Sequence, residues 1–127
     1  MAHTKVYWLS RHELSPAQRR AIADIHGEDA EVVQEPVSFA NERGLLEFCQ
    51  SHNGSWVYAV ASGVHYLRAA LAGCRFGIFE NWPAKRADGQ FGLASVYHVD
   101  GGHMMKVWQN PDPNSDNGEP LVPVAPR

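Results

Sequence analysis

The chain has 127 residues, 14 acidic and 11 basic, with a formal net charge of −3 and 44% hydrophobic residues. That length suits one domain able to bury a core without metal or disulfide support. The charge excludes broad electrostatic capture of duplex nucleic acid, which needs a strongly basic face.

Thr4 to Leu9 is a short run of β-branched and aromatic residues and reads as a first strand. Ser15 then has the signature of a helix N-cap, with Pro16 at the first helical position and Gln18 completing a capping box. Ala21, Ile22 and Ile25 form the apolar face of that helix, and His26-Gly27 ends it. Ala30 to Gln34 reads as a second strand. After Pro36, Ser38 caps a helix running to about His52, with Phe39, Leu45, Leu46 and Cys49 as its apolar contacts.

Asn53-Gly54 signals a turn into Trp56 to Ala61, an almost continuously apolar run expected of a central strand covered on both faces. Val64 to Ala72 turns helical, with Leu67, Ala70 and Leu71 on one face and Gly73 as the stop. Cys74 to Phe79 forms a further strand. Phe91 to Val99 and Met104 to Trp108, joined through Asp100-Gly101-Gly102-His103, read as an antiparallel hairpin.

The resulting β-α-β-α-β-α-β order predicts a single α/β domain with a mainly parallel sheet, helices on both faces and a C-terminal antiparallel hairpin. The domain is expected over residues 1–108. Residues 109–127, with repeated Pro, Asn, Asp and Gly, read as an extended or disordered tail. Without the tail, 11 acidic residues face 10 basic ones, so the folded part is near neutral.

Cys49 and Cys74 stand outside any Cys-x-x-Cys or Cys/His spacing, and both read as buried reduced thiols. His98 and His103 lack a carboxylate or thiol cluster and read as packed or solvated histidines, so no metal and no cofactor is expected. The first residues lack the pattern of a signal peptide, and no run nears the roughly 18 to 20 apolar residues that span a bilayer. A cytoplasmic chain without a membrane partner is the expectation.

Three polar groups follow apolar runs and, in a parallel sheet, would emerge at the carboxyl edge where α/β proteins bind ligands. Ser10-Arg11-His12 joins a hydroxyl, a fixed cation and an imidazole at a helix N-terminus. That kit suits a phosphate and a proton transfer, although Arg11 paired with Glu13 and His12 orienting the loop would read the same. Ser62-Gly63 offers close backbone approach before a helix, or merely a cap. Asn81, Trp82, Lys85 and Arg86 combine an amide, a stacking plane and two cations, or form a surface loop. An Arg-His pair also occurs in histidine phosphatases, but Glu13 replaces the Gly that follows it there.

With the elements placed, the chain resembles small Rossmann-like, CARF-like CRISPR-associated proteins of the stand-alone ring nuclease type. The resemblance spans residues 4 to 108. It is carried by Ser10-x-His12-Glu13-Leu14-Ser15-Pro16-Ala17-Gln18, which is similar to the family's Ser/Asn-His-x-Leu-Thr-x-x-Gln start. The Val57 to Leu71 segment, Lys85-Arg86 and the closing Tyr97-His98-Val99 add to it. The chain departs at Ala61-Ser62-Gly63, where relatives carry a more glycine-rich or acidic loop.

The resemblance implies a Rossmann-like three-layer domain. It also implies a homodimer that binds a cyclic oligoadenylate and cleaves it by metal-independent attack of the ribose 2′-OH. On this sequence Arg11, His12 and Arg86 would be catalytic. Ser10, Ser62, Gly63, Asn81, Trp82 and Lys85 would bind the ligand. The alternatives are a non-catalytic Rossmann-like interaction domain of a plasmid, phage or defence system, or another small phosphoryl-handling enzyme.

Overall fold

A computed structural model describes residues 4–37, 44–52, 54–85 and 91–111, of which 83–85 through their backbone. The elements are β1 (Lys5–Leu9), α1 (Pro16–His26), β2 (Glu31–Glu35), α2 (Gly44–Ser51), β3 (Trp56–Ala59), α3 (Gly63–Leu71), β4 (Phe76–Lys85), β5 (Phe91–Asp100) and β6 (His103–Gln109). The protein is α/β, with one six-stranded mixed sheet in the order β2-β1-β3-β4-β5-β6. The pairs β1 with β2, β1 with β3 and β3 with β4 are parallel. The pairs β4 with β5 and β5 with β6 are antiparallel.

Strand alternation divides the core between the two sheet faces. Val6, Trp8 and Tyr58 turn to one face and pack with Leu14, Ala17, Ala21 and Ile22 of the α1 segment. Leu9, Val57, Ala59 and Phe76 turn to the other, against Leu45, Leu46 and Cys49 of α2 and Ala69 of α3. Each fully buried Val, Leu or Phe of this kind contributes about 1.5 to 3 kcal/mol relative to exposure.

Local chemistry explains the element starts. The Ser15 hydroxyl accepts the Gln18 N–H at 3.1 Å while the Gln18 side-chain oxygen accepts the Ser15 N–H at 2.9 Å, a complete capping box with Pro16 inside it. Gly101 and Gly102 both have positive φ and turn β5 into β6. The expected cap at Ser38 and the contact at Phe39 lie outside the described residues.

Three expectations need correction. Leu67 and Leu71 of α3 face solvent, and the buried residue of that helix is Ala69. β3 ends at Ala59, because the Tyr66 hydroxyl occupies the Ala59 carbonyl and the Ala61 N–H that a longer strand would use. β4 runs on through Glu80 to Lys85, a stretch also readable as a loop, by pairing with β5 across register shifts around Asn81.

One position tests the face assignment. Gly77 of β4 lies against the ring of the fully buried Tyr58, so a Cβ there would overlap that ring and leave it nowhere to go. Gly77→Ala is expected to destabilise the fold by about 1 to 3 kcal/mol through overpacking, read as a lower urea midpoint. An unchanged midpoint would mean that Tyr58 is not seated as described.

Candidate functional site

Leu9, the last residue of β1, lies beside Ala59, the last residue of β3. From these ends the chain leaves to opposite faces, by way of the β1 exit to α1 and the β3 exit to α3. The edge at which neighbouring parallel strands diverge in this way is where open α/β sheets bind ligands.

The β1 exit is held by side chains that sequence reasoning missed. Gln34 of β2 donates from Nε2 to the carbonyls of Ser10 and His12, 2.9 Å to each. Trp8 Nε1 donates to the same His12 carbonyl at 2.7 Å, and the Ser10 hydroxyl accepts the His12 N–H at 3.1 Å. Ser10 is therefore buried and serves the loop, while Arg11 and His12 remain exposed on a backbone fixed from three sides. The one sequence signal available was a glutamine in a β-branched edge strand, too common a pattern to assign.

Tyr66 holds the β3 exit. Its hydroxyl donates to the Ala59 carbonyl at 2.7 Å and accepts the Ala61 N–H at 3.1 Å. Burial pushes the phenol pKa up, against the smaller opposing effect of the Ala61 N–H. Ser62 has the extended backbone of an N-cap but makes no side-chain cap bond, so its hydroxyl is not committed to α3. Ser62 and Gly63 are exposed where the helix begins, and the first N–H groups of a helix have no intrahelical partner.

The structure thus brings Ser10, Arg11 and His12 to the same sheet edge as Ser62 and Gly63. Asn81 and Trp82 line a separate cleft of about 340 Å³ with Glu80, Lys106, Gln109 and Asn110. Lys85 is described through its backbone, paired with Phe91, and Arg86 lies outside the described residues. This edge gathers a guanidinium, an imidazole, a hydroxyl that makes no helix-capping bond and the positive end of a helix dipole, with the carboxylates of Glu13 and of Glu35, which pairs with Leu9, at the same edge.

The opposite edge differs. A cleft of about 480 Å³ is lined there by Cys49, Ser55, Gly73, Cys74, Arg75 and Asp100. The C-terminal ends of α2 and α3 face this edge, and their carbonyl dipoles disfavour an anion. Burial, reinforced by Cys74, pushes the Cys49 thiol up to about 12, and burial also raises Cys74. Neither thiol is an activated nucleophile. Among the described residues no group of three His, Cys, Asp or Glu could hold a metal ion.

The same edge carries a polar cluster under α1. Tyr58 Oη lies 2.8 Å from His26 Nε2 and 2.6 Å from His98 Nε2. A hydroxyl has one proton, so it donates to one imidazole and accepts from the other, which gives the two histidines different tautomers. His98 stacks on Trp56 at 3.7 Å, with the Arg75 guanidinium over the same indole at 5.0 Å. Burial, then the charges of His26 and Arg75, lower His98 to about 4 against the opposing pull of Asp100, and burial lowers His26. Of the two readings open for His98, packed or solvated, the structure shows the packed one.

Comparison of the chain with protein-family models, curated proteins and solved structures found no match. Among the described residues no helix is long and apolar enough to cross a membrane.

The cluster sets a pH dependence whose sign follows from the lowered values. An unfolded chain protonates both histidines near 6.5, whereas the folded chain keeps His98 neutral down to about 4. Stability contributed by the neutral pair is full above pH 6.5 and is lost as pH falls toward 4. Thermal melts should show Tm dropping across that window, with a smaller drop in His98→Phe. Tyr58→Phe should cost about 1 to 3 kcal/mol at neutral pH by leaving the half-buried ring nitrogens of His26 and His98 without their partner.

Proposed function

We propose that this is a nucleotide-binding protein with a Rossmann-like three-layer organisation, taking a cyclic oligoadenylate in the crevice between the β1 and β3 exits. The single observation that carries the reading is the juxtaposition of Leu9 with Ala59, so that the exit leading to Arg11 and His12 and the exit leading into α3 start from neighbouring strand ends. The order β2-β1-β3-β4 in the parallel half of the sheet supports the Rossmann-like assignment. The oligoadenylate class comes from the resemblance at Ser10 to Gln18, and with it a cytoplasmic homodimer facing a twofold-symmetric ligand.

In this reading the substrate carries its own nucleophile. The ribose 2′-oxygen forms a bond to the adjacent phosphorus and the P–O5′ bond breaks; His12 takes the 2′ proton and the 5′-oxygen gains one from water. Arg11 neutralises charge developing on the phosphate oxygens, and Ser62 with the N–H groups of α3 positions them. Gln34 and Trp8 act through the backbone they hold, so their contribution is the fixed geometry of the loop. The second reading, a non-catalytic interaction domain, is favoured by one observation: the Ser10 hydroxyl is spent inside the loop and offers the ligand little.

The test is thermal stabilisation and calorimetric binding over a panel of cyclic oligoadenylates, with linear products followed in chelator. One ring size is expected to raise Tm by mass action. Arg11→Ala should weaken binding about tenfold or more, as befits loss of a charge-assisted hydrogen bond. Gln34→Ala should lower the turnover rate more than the affinity. No stabilisation by any ring size in folded protein would overturn the proposal in favour of the interaction domain.

A further inference from the structure

Two β-bulges shape the antiparallel half of the sheet. Between the pairs Glu80–Ser95 and Asn81–Leu93, β5 carries Ala94 as an extra residue; between the pairs Val96–Trp108 and Tyr97–Lys106, β6 carries Val107 as one. A bulge re-aims the side chains beside it. Val107 thus brings Lys106 and Gln109, three residues apart, to one face. The direct pairings of Glu80 with Ser95 and of Ser95 with Gln109 set a carboxylate, a hydroxyl and an amide in one row across three strands. Their face is opposite the one on which Val96 joins the core under α1.

The row lies in the cleft of about 340 Å³ that Asn81, Trp82 and Lys106 also line. Ser95 forms its floor. It is 4% exposed, yet its hydroxyl makes no hydrogen bond with the described residues, and what stays accessible opens into the cleft. A hydroxyl withdrawn from water without a partner destabilises a fold, so one kept on the floor of a cleft points to a ligand that pairs with it. The wall beside it is already fixed. Asn110, 2% exposed, donates its backbone N–H to the Ala94 carbonyl at 2.8 Å and its Nδ2 to the Leu93 carbonyl at 2.7 Å.

We propose that this cleft binds a neutral saccharide, stacked on Trp82 and hydrogen-bonded by Glu80, Ser95 and Gln109. The site is distinct from the one proposed for a nucleotide and does not depend on it. The ligand class follows from the groups present. Glu80 and Lys106 cancel in charge, and the Lys106 ammonium lies over the Tyr97 ring at 5.7 Å, so the carboxylate disfavours a phosphate. The Asn81 and Gln109 amides make no side-chain hydrogen bond with the described residues, and each offers both donors and an acceptor. Sugar hydroxyls donate and accept alike, so a single ligand class satisfies the carboxylate, the amides and the hydroxyl together. A sugar ring also has an apolar C–H face, which suits the indole of Trp82, 41% exposed at the cleft. A nucleobase presents its polar atoms along flat edges, whereas these groups are spread over three strands, about 10 Å. That span, in a cleft at the small end of ligand pockets, suits a monosaccharide or disaccharide.

The experiment is a titration of the isotope-labelled full-length chain with neutral hexoses, N-acetylhexosamines and their disaccharides, followed by amide and indole N–H shifts, with adenosine as the competing class. At least one saccharide is expected to shift the Trp82 indole N–H saturably, together with the amides of Ser95 and Gln109. Trp82→Ala should weaken that saccharide about tenfold, and Gln109→Ala and Ser95→Ala about fivefold each. Ser95→Ala should leave Tm unchanged or raised, because its hydroxyl has no partner among the described residues to lose. Gln109 is exposed at the end of β6, so its variant keeps the test decisive if Trp82→Ala unfolds. The proposal is overturned if no saccharide gives saturable shifts at these residues, or if affinity is unchanged in Gln109→Ala and Ser95→Ala. Shifts here with adenosine and not with saccharides would assign the cleft to a nucleoside and overturn it as well. Cyclic oligoadenylate plays no part in the titration, so failure here and failure at the β1 and β3 exits are separate results.

Discussion

The parallel pairing of β1 with β3 is the constraint on which the rest of the structure depends. The register that sets Leu9 beside Ala59 also sends Trp8 and Tyr58 to one face and Leu9, Val57 and Ala59 to the other. One alternation therefore builds both halves of the core and sets the two strand exits side by side at its edge. A slip of one residue would exchange the two faces, so the core and the candidate site are specified together.

The two edges of the sheet divide the work. At the carboxyl edge, Gln34, Trp8 and Tyr66 spend their polar atoms on loop backbone, which leaves Arg11, His12 and Ser62 outward on a fixed frame. At the amino edge, the polar atoms of His26, Tyr58 and His98 satisfy one another beneath α1. A buried network of this kind stabilises only while its members are neutral, which couples the fold to pH at the end remote from the crevice. The edge that carries Arg11, His12 and Ser62 and the proton-sensitive cluster are thus separated by the length of the strands.

Helix α3 shows where pattern reading stops. Its periodicity was legible, and so was its end near Gly73, but the inward face was not: the sequence favours Leu67 and Leu71, and the structure buries Ala69. Periodicity identifies a stripe without saying what covers it. Small residues against the sheet let the helix approach closely, and the larger apolar ones, Leu67 and Leu71, are left exposed. The β4 extension is a similar case, since Glu80 to Lys85 has turn-like composition and becomes strand only because β5 is there to pair with it.

The sequence by itself determined the elements whose signals are local: the Ser15 capping box with Pro16, the β-branched run of β1, the Gly101-Gly102 turn and the βα alternation that makes neighbouring strands parallel. It also placed Ser10, Arg11, His12, Ser62 and Gly63 at one sheet edge, because each follows a strand. Only the tertiary structure decided that Ser10 serves the loop, that Gln34 and Tyr66 hold the exits, and that Asn81 and Trp82 line another cleft. It also decided that Tyr58 joins His26 to His98. The partners of Gln34 and Tyr58 lie 22 to 40 residues away, and those of Ser10 and Tyr66, two to seven residues away, depend on how the chain turns at the strand exits; no local pattern encodes which group a hydroxyl or amide will meet.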